Sequence, residues 1–177
     1  RETAKSWLPG DYEIVPNGVL IPDGANPDGR EHRIVFAGRH ESRKGLQVLL
    51  EVWPEIRRRT GATLHIIGAD PLRVRLLMTR LRVPDDGIEV LGFLDQEIFT
   101  KELLEAKLLV APSLGGESFG MVLTRALACA TPVIASDIPG YRDVMTPETC
   151  VSFPAGDGAA LVEAVAALLT DEPRRRA

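Results

Sequence analysis

The sequence predicts an α/β domain built on a Rossmann-like, doubly wound parallel sheet, and three observations carry that reading. Five short apolar runs, Ile34–Ala37, Thr63–Ile67, Ile88–Leu91, Leu108–Ala111 and Val133–Ala135, have the character of strands covered on both faces. The segments between them show helical periodicity. Gly38, Gly68 and Gly92 follow the first three runs, at the strand ends where an open α/β sheet places its ligand-binding loops.

In chain order, Tyr12–Val15 is a short run of strand character, and Pro16-Asn17-Gly18 turns the chain after it. Ile21–Arg30 is rich in Pro, Gly, Asp and Asn and reads as an exposed linker, which sets a domain boundary near Glu31. Over Gly45–Arg59, the residues Leu46, Leu49, Leu50, Trp53 and Ile56 fall on one helical stripe. Pro71–Leu81 opens on a proline suited to a first helical turn. Gln96–Ala106 and Phe119–Ala130 are the next helices, and the alanine-rich Gly158–Leu169 closes the series.

At 177 residues the chain suits one domain better than two. Its 45% hydrophobic content supports a core, and a net charge of -4 argues against a general nucleic-acid binder. Cys129 and Cys150 have no metal-ligand spacing and read as reduced, buried thiols of an intracellular protein, with no disulfide. No apolar run is long enough to span a bilayer. The chain opens on Arg1 rather than Met and stops soon after a helix, which predicts continuation in both directions.

Two loops carry chemistry. The first reads Gly38-Arg39-His40-Glu41-Ser42-Arg43-Lys44-Gly45. Arg39 and Lys44 stand at its two ends and can converge on one anion, with the amides of the following helix adding partial positive charge. That combination suits a diphosphate. On this loop alone a solvated charged turn is an equal alternative, and the glycine spacing of a Walker-type loop is absent. The second reads Ala111-Pro112-Ser113-Leu114-Gly115-Gly116-Glu117-Ser118-Phe119-Gly120. Gly115 and Gly116 admit close backbone approach to a ligand, Glu117 offers an acceptor for sugar hydroxyls, and Ser118 is the expected N-cap of the next helix. The amides of Met121, Val122 and Leu123 then face the anion. Complementing the helix dipole is the plainer role for Glu117.

Arg39 with Lys44, the Gly115–Gly120 run, and Pro132-Val133-Ile134-Ala135-Ser136 together resemble the C-terminal domain of retaining glycosyltransferases of the GT-B fold, family GT4. The resemblance covers the chain from about Ile14, and Val15–Val19 is similar to the segment linking the two domains of that fold. It implies that residues 1–30 are the end of an N-terminal domain plus the interdomain linker, and that residues 31–177 bind a nucleotide sugar. It further implies that Arg39 and Lys44 hold the diphosphate and that Glu117 binds donor-sugar hydroxyls. Phe119, Gly120, Met121 and Val122 would meet sugar and phosphates through their backbone, and Leu91-Gly92-Phe93 would line the nucleobase pocket. Gly38, Gly116 and Ser118 complete the expected donor site.

One position departs from the family pattern. The second acid of its Glu, seven residues, Glu motif falls at Arg125. Arginine is donor-only and would bind the ribose hydroxyls through their oxygens. Three readings stay open: ribose binding with altered affinity, a changed donor preference, or a site without normal activity.

The resemblance implies hexosyl transfer from a UDP- or GDP-linked sugar with retention, and no divalent metal or other cofactor. The acceptor would sit mainly on the N-terminal domain, so the isolated chain would bind donor and transfer nothing. A nucleotide-sugar epimerase of the same fold and a catalytically degenerate binding domain are the alternatives. The expected location is cytoplasmic, or at the inner face of a membrane through peripheral association. Arg57-Arg58-Arg59 and Arg174-Arg175-Arg176 read as solvated helix ends able to add weak attraction to acidic lipid. His40, His32 and His65 read as loop, linker and strand positions, Trp7 and Trp53 as packing residues, and Asp137 and Asp143 as caps flanking the turn Ile138–Arg142.

Overall fold

The computed structural model describes residues 11, 13, 15, 17–24 and 29–170. Trp7, Tyr12 and Ile14 of the Tyr12–Val15 run, and the Arg174–Arg176 run fall outside these residues. Strands β1 (Glu31–Ala37), β2 (Thr63–Ile67), β3 (Ile88–Gly92), β4 (Ala106–Ala111), β5 (Val133–Ser136) and β6 (Cys150–Phe153) form one sheet in the order β3-β2-β1-β4-β5-β6. Every neighbouring pair is parallel. The helices are α1 (Leu46–Thr60), α2 (Pro71–Leu81), α3 (Gln96–Glu105), α4 (Met121–Ala128) and α5 (Gly158–Thr170).

Strand side chains alternate between two cores. Ile34, Phe36, Leu64, Ile66, Leu108, Val110 and Ile134 meet α1, α2 and α5 on one face. Val35, Ile67, Leu109, Ala111, Val133 and Ala135 meet α3 and α4 on the other. Apolar residues at successive positions are therefore what a doubly covered sheet requires, and the expected fold class is confirmed. Trp53, 1% exposed, packs in the first core and donates from Nε1 to the Asp86 carbonyl at 3.1 Å.

The structure corrects several sequence expectations. β6 carries no continuous apolar run: Cys150 and Phe153 are buried and Val151 packs partly buried against the first core, but Ser152 on this edge strand is exposed. β1 begins at Glu31, before its apolar stretch. Its buried Arg33 stays in the ladder by pairing with Glu31, with Glu102 at 2.8 Å and with Glu105 at 3.3 Å. Helix α4 starts at Met121, capped by Gly120 in a left-handed conformation with φ 78, and Ser118 is not its N-cap. It ends before Ala130, which takes φ 51 while the Thr131 amide returns to the Ala126 carbonyl.

The supposed linker also ends in a buried anchor. The Arg30 guanidinium donates to the carbonyls of Leu103, Ala106, Cys129 and Ala130 and to Thr131 Oγ1, at 2.8–3.3 Å. It ties the C-terminal ends of α3 and α4 to the start of the sheet and adds a charged donor to carbonyls at the helix ends. The Arg57–Arg59 run is paired rather than merely solvated. Arg57 donates to the Gly61 and Ala62 carbonyls and meets Asp86, while Arg58 pairs with Glu55 and Arg59 with Glu163.

Candidate functional site: a cleft at the β1/β4 switch point

β1 and β4 lie side by side, and the helices that follow them leave toward opposite faces of the sheet. That divergence opens a crevice beyond the strand C-termini, the usual ligand position in such sheets. Here it is a cleft of about 420 Å³, a size suited to a small molecule.

Three loops build its floor by close backbone contact. Gly45, with φ 70, presses the loop after β1 onto the loop after β4, since a Cβ there would lie 1.8 Å from the Pro112 carbonyl oxygen. The Leu114 amide donates to the Arg43 carbonyl at 2.7 Å across the same junction. The loop after β5 closes the third side: a Cβ on Gly140 would stand 1.8 Å from the Glu117 carbonyl oxygen, and one on Gly120 would meet the Tyr141 ring at 2.8 Å.

Charges converge where these loops meet. Glu117 Oε1 accepts from Lys44 Nζ at 2.6 Å, Arg43 Nη1 at 3.1 Å and Ser113 Oγ at 3.2 Å. Arg43 also donates to the Gly116 carbonyl at 2.9 Å and pairs with Glu41 at 2.7 Å, and Glu41 holds Arg39 at 2.9 Å. Three cations thus face two carboxylates, leaving the cluster net positive beside the cleft. Beneath it, buried Tyr141 shares a 2.7 Å hydrogen bond with Ser113. Burial pushes the Tyr141 phenol up to about 12, with the nearby Glu117 charge adding to the rise and the Ser113 hydrogen bond opposing it. The phenol is therefore a fixed neutral support at neutral pH.

The cleft is lined by Gly38, Lys44, Phe93, Glu117, Ser118, Phe119, Gly120, Met121, Val122 and Arg125, as the sequence led us to expect, together with Asn17, Leu94 and Phe99. Four expected residues stand elsewhere. Arg39 turns outward to Glu41 with 69% of its side chain exposed. The Gly116 carbonyl is held by Arg43. Leu91 packs into the second core, and Gly92 is buried with its carbonyl accepting from the Gly68 amide. Of the helix-start amides expected to face an anion, that of Leu123 donates back to the Gly120 carbonyl at 2.9 Å. Arg125 places its guanidinium 4.4 Å from the Phe99 ring centroid, and among the described residues it pairs with no carboxylate.

Arg43, Ser113, Gly140 and Tyr141 were not foreseen. Arg43 sits beside Lys44 in one basic run, so adjacency was the available signal; the Ser113–Tyr141 contact joins residues 28 positions apart and is tertiary. Asp137 pairs with Arg142 at 2.9 Å, which lowers its carboxyl pKa, and so does not cap the turn. His40 does not line the cleft. His65 lies buried against Glu102, and exposed His32 meets the Thr60 carbonyl. Both cysteines are free and buried, and burial raises their thiol pKa values. Among the described residues no helix is long and apolar enough to cross a membrane.

Comparison with known proteins fits this geometry. The family model for glycosyl transferases group 1 matches residues 31–171. A phosphatidyl-myo-inositol mannosyltransferase of Mycobacterium leprae is 35% identical over 188 residues, an alignment covering 98% of this chain and 50% of that protein. The chain spans about half the length of the curated relatives it matches. Sucrose-phosphate synthase from Thermosynechococcus elongatus superposes with a TM-score of 0.71 and 29% identity, over 85% of this chain and 39% of that one. Staphylococcus aureus TarM, crystallised with fondaparinux, alpha-GlcNAc-glycerol and UDP, superposes at 0.81 with 17% identity over 99% and 36%. With that match across most of its length and the doubly wound sheet beneath it, the chain belongs to the glycosyl transferases group 1 family, as the C-terminal, Rossmann-like type of domain found in the GT-B fold.

Proposed function

We propose that this chain is the donor-binding half of a retaining hexosyltransferase that uses a nucleoside-diphosphate sugar, UDP- or GDP-linked. The observation that carries the reading is the net-positive cluster of Lys44, Arg43 and Glu117 at the switch-point cleft. The presence of UDP in the TarM complex, which shares the fold, supports a nucleotide as ligand.

The diphosphate sits against Lys44 and the start of α4, whose Met121 and Val122 amides and helix dipole attract anionic oxygens. Arg39 adjoins Gly38 at the lip of the cleft. Its single exposed ion pair to Glu41 is weak, so the guanidinium exchanges that carboxylate for the diphosphate. Glu117, steadied by three donors, presents its remaining lone pairs to donor-sugar hydroxyls. The nucleoside lies toward Phe93 and Phe99, and Arg125 donates to ribose oxygens from its position over Phe99. The acceptor, a glycan, lipid or small molecule, is held mainly by the N-terminal domain.

Double displacement needs a second carboxylate as nucleophile, and among the described residues Glu117 is the one carboxylate lining the cleft. Front-face attack fits better. The acceptor oxygen bonds to the anomeric carbon as the bond to the diphosphate breaks, and the acceptor proton passes to the departing phosphate oxygen. Lys44 and Arg39 stabilise the charge that develops on the leaving group, which removes the need for a divalent metal.

The unpaired Arg125 supports a second reading, a binding domain with a degenerate ribose site. A donor screen of the full-length protein, with the product anomer assigned by NMR, tests the proposal. Retention with one nucleotide sugar supports it, and inversion or absence of transfer from every donor refutes it. Arg125→Glu separates the readings, since a large gain in turnover marks a degenerate site and a loss marks a specialised one.

A further inference from the structure

The surface most strongly marked for an external partner is α2. Its residues Pro71–Leu81 include Arg73, Arg75 and Arg80, with Arg82 as the C-cap, and no acid. All four arginines are exposed, and among the described residues none pairs with a carboxylate. The arginines of α1, by contrast, are engaged by Asp86, Glu55 and Glu163.

The apolar pattern of α2 has two sides. Val74 and Met78 are buried in the first core, but Leu72 and Leu76 are 67% and 61% exposed. At about 100° per residue the two exposed leucines lie about 40° apart, opposite Val74 and Met78. On the same projection Arg73 and Arg80 flank them on one side and Arg75 on the other. A leucine ridge between rows of arginine suits a bilayer interface, where apolar groups enter the headgroup boundary and guanidinium heads stay at the phosphates. The helix also adjoins the cleft. Pro71 packs over Gly92, where a Cβ would lie 3.5 Å from its Cγ, and the next residue, Phe93, lines the cleft and is 75% exposed.

We propose that α2 docks the protein on an anionic lipid bilayer, with Leu72 and Leu76 inserted and Arg73, Arg75 and Arg80 on lipid phosphates. Charge complementarity selects this occupant. A second copy of α2 would oppose arginine to arginine, and a nucleic-acid surface gives the leucines nothing to enter. The inference stands apart from the donor reading, because no α2 side chain lines the donor cleft.

The test is cosedimentation of the full-length protein with vesicles of phosphatidylcholine containing about 30% phosphatidylglycerol, a content giving an anionic surface, and with phosphatidylcholine alone. Binding is expected to the anionic vesicles only. Arg73→Gln/Arg75→Gln/Arg80→Gln should weaken the partition coefficient about a hundredfold, since each basic residue near such a surface contributes about fivefold. Leu72→Ser/Leu76→Ser should weaken it about tenfold or more. All five positions are exposed, and an unchanged melting temperature and unchanged nucleotide affinity by calorimetry verify that fold and donor site are intact. Equal binding to both vesicle types, no binding to either, or α2 variants that bind as the parent overturns the proposal. So does a leucine variant that changes oligomeric state, or arginine variants that lose duplex-DNA binding with vesicle binding intact.

Discussion

Gly140 offers a sharp test of how the cleft is held. A methyl group there would fall 1.8 Å from the Glu117 carbonyl oxygen, 2.4 Å from its carbonyl carbon and 2.9 Å from its Cβ. The obstruction is backbone, so no side-chain rotation relieves it, and the two loops must part by about 1 Å or more to reach van der Waals contact. Overpacking of this kind costs about 1–3 kcal/mol of stability. Its larger effect is on Glu117, which moves relative to Lys44 and the proposed donor sugar. A displacement of about 1 Å at a positioning group costs about a hundredfold in rate, close to 2.7 kcal/mol of transition-state stabilisation. Gly140→Ala in the full-length enzyme should therefore lower kcat/KM about a hundredfold while the protein still melts cooperatively, a few degrees lower. Wild-type kcat/KM in a folded Gly140→Ala protein would show that the contact between the β5 and β4 loops does not set the position of Glu117.

Other predictions concern the supports of the site. Arg30→Met takes the shared donor from four carbonyls at the ends of the helices and should cost about 1–3 kcal/mol, a drop of a few degrees in Tm by calorimetry. An unchanged Tm would remove the anchor role. The unfolded Tyr141 phenol ionises near pH 10 but the folded one only near 12, so proton release favours the unfolded chain between those values. The stability present below pH 10 should fall by about 2 kcal/mol by pH 12, and a denaturant series in which Tyr141→Phe shows the same decline as the parent would contradict this. Arg125→Ala should weaken nucleoside-diphosphate binding about tenfold, the value of a charge-assisted hydrogen bond, and equal or tighter binding by calorimetry would count against a ribose contact.

The fold was legible because its signals are local. Five of six strands are short apolar runs, and α2 was bounded at Pro71 and Leu81 by its proline and its polar flanks. β6 escaped because exposed Ser152 interrupts the apolar residues of a four-residue edge strand. At the site, the residue types in the two loops singled out Lys44 and Glu117, which lie 2.6 Å apart, whereas Arg39, expected to converge with Lys44, turns outward to Glu41. Sequence could not decide which arginine of Arg39-His40-Glu41-Ser42-Arg43 turns inward. That choice depends on Gly45 seating the loop on Pro112 and on Glu41 holding Arg39 outside. The Ser113–Tyr141 support was equally out of reach, since two loops from separate strands must meet to create it.

The central claim, that Lys44 grips a nucleoside diphosphate at the β1/β4 cleft, is tested most directly by titration calorimetry of the full-length protein and its Lys44→Ala variant with UDP and GDP. The account predicts measurable binding of at least one nucleotide and a loss of about tenfold or more in the variant, the worth of one charged hydrogen bond to a phosphate. No binding of either nucleotide, or the same Kd with and without Lys44, would contradict it.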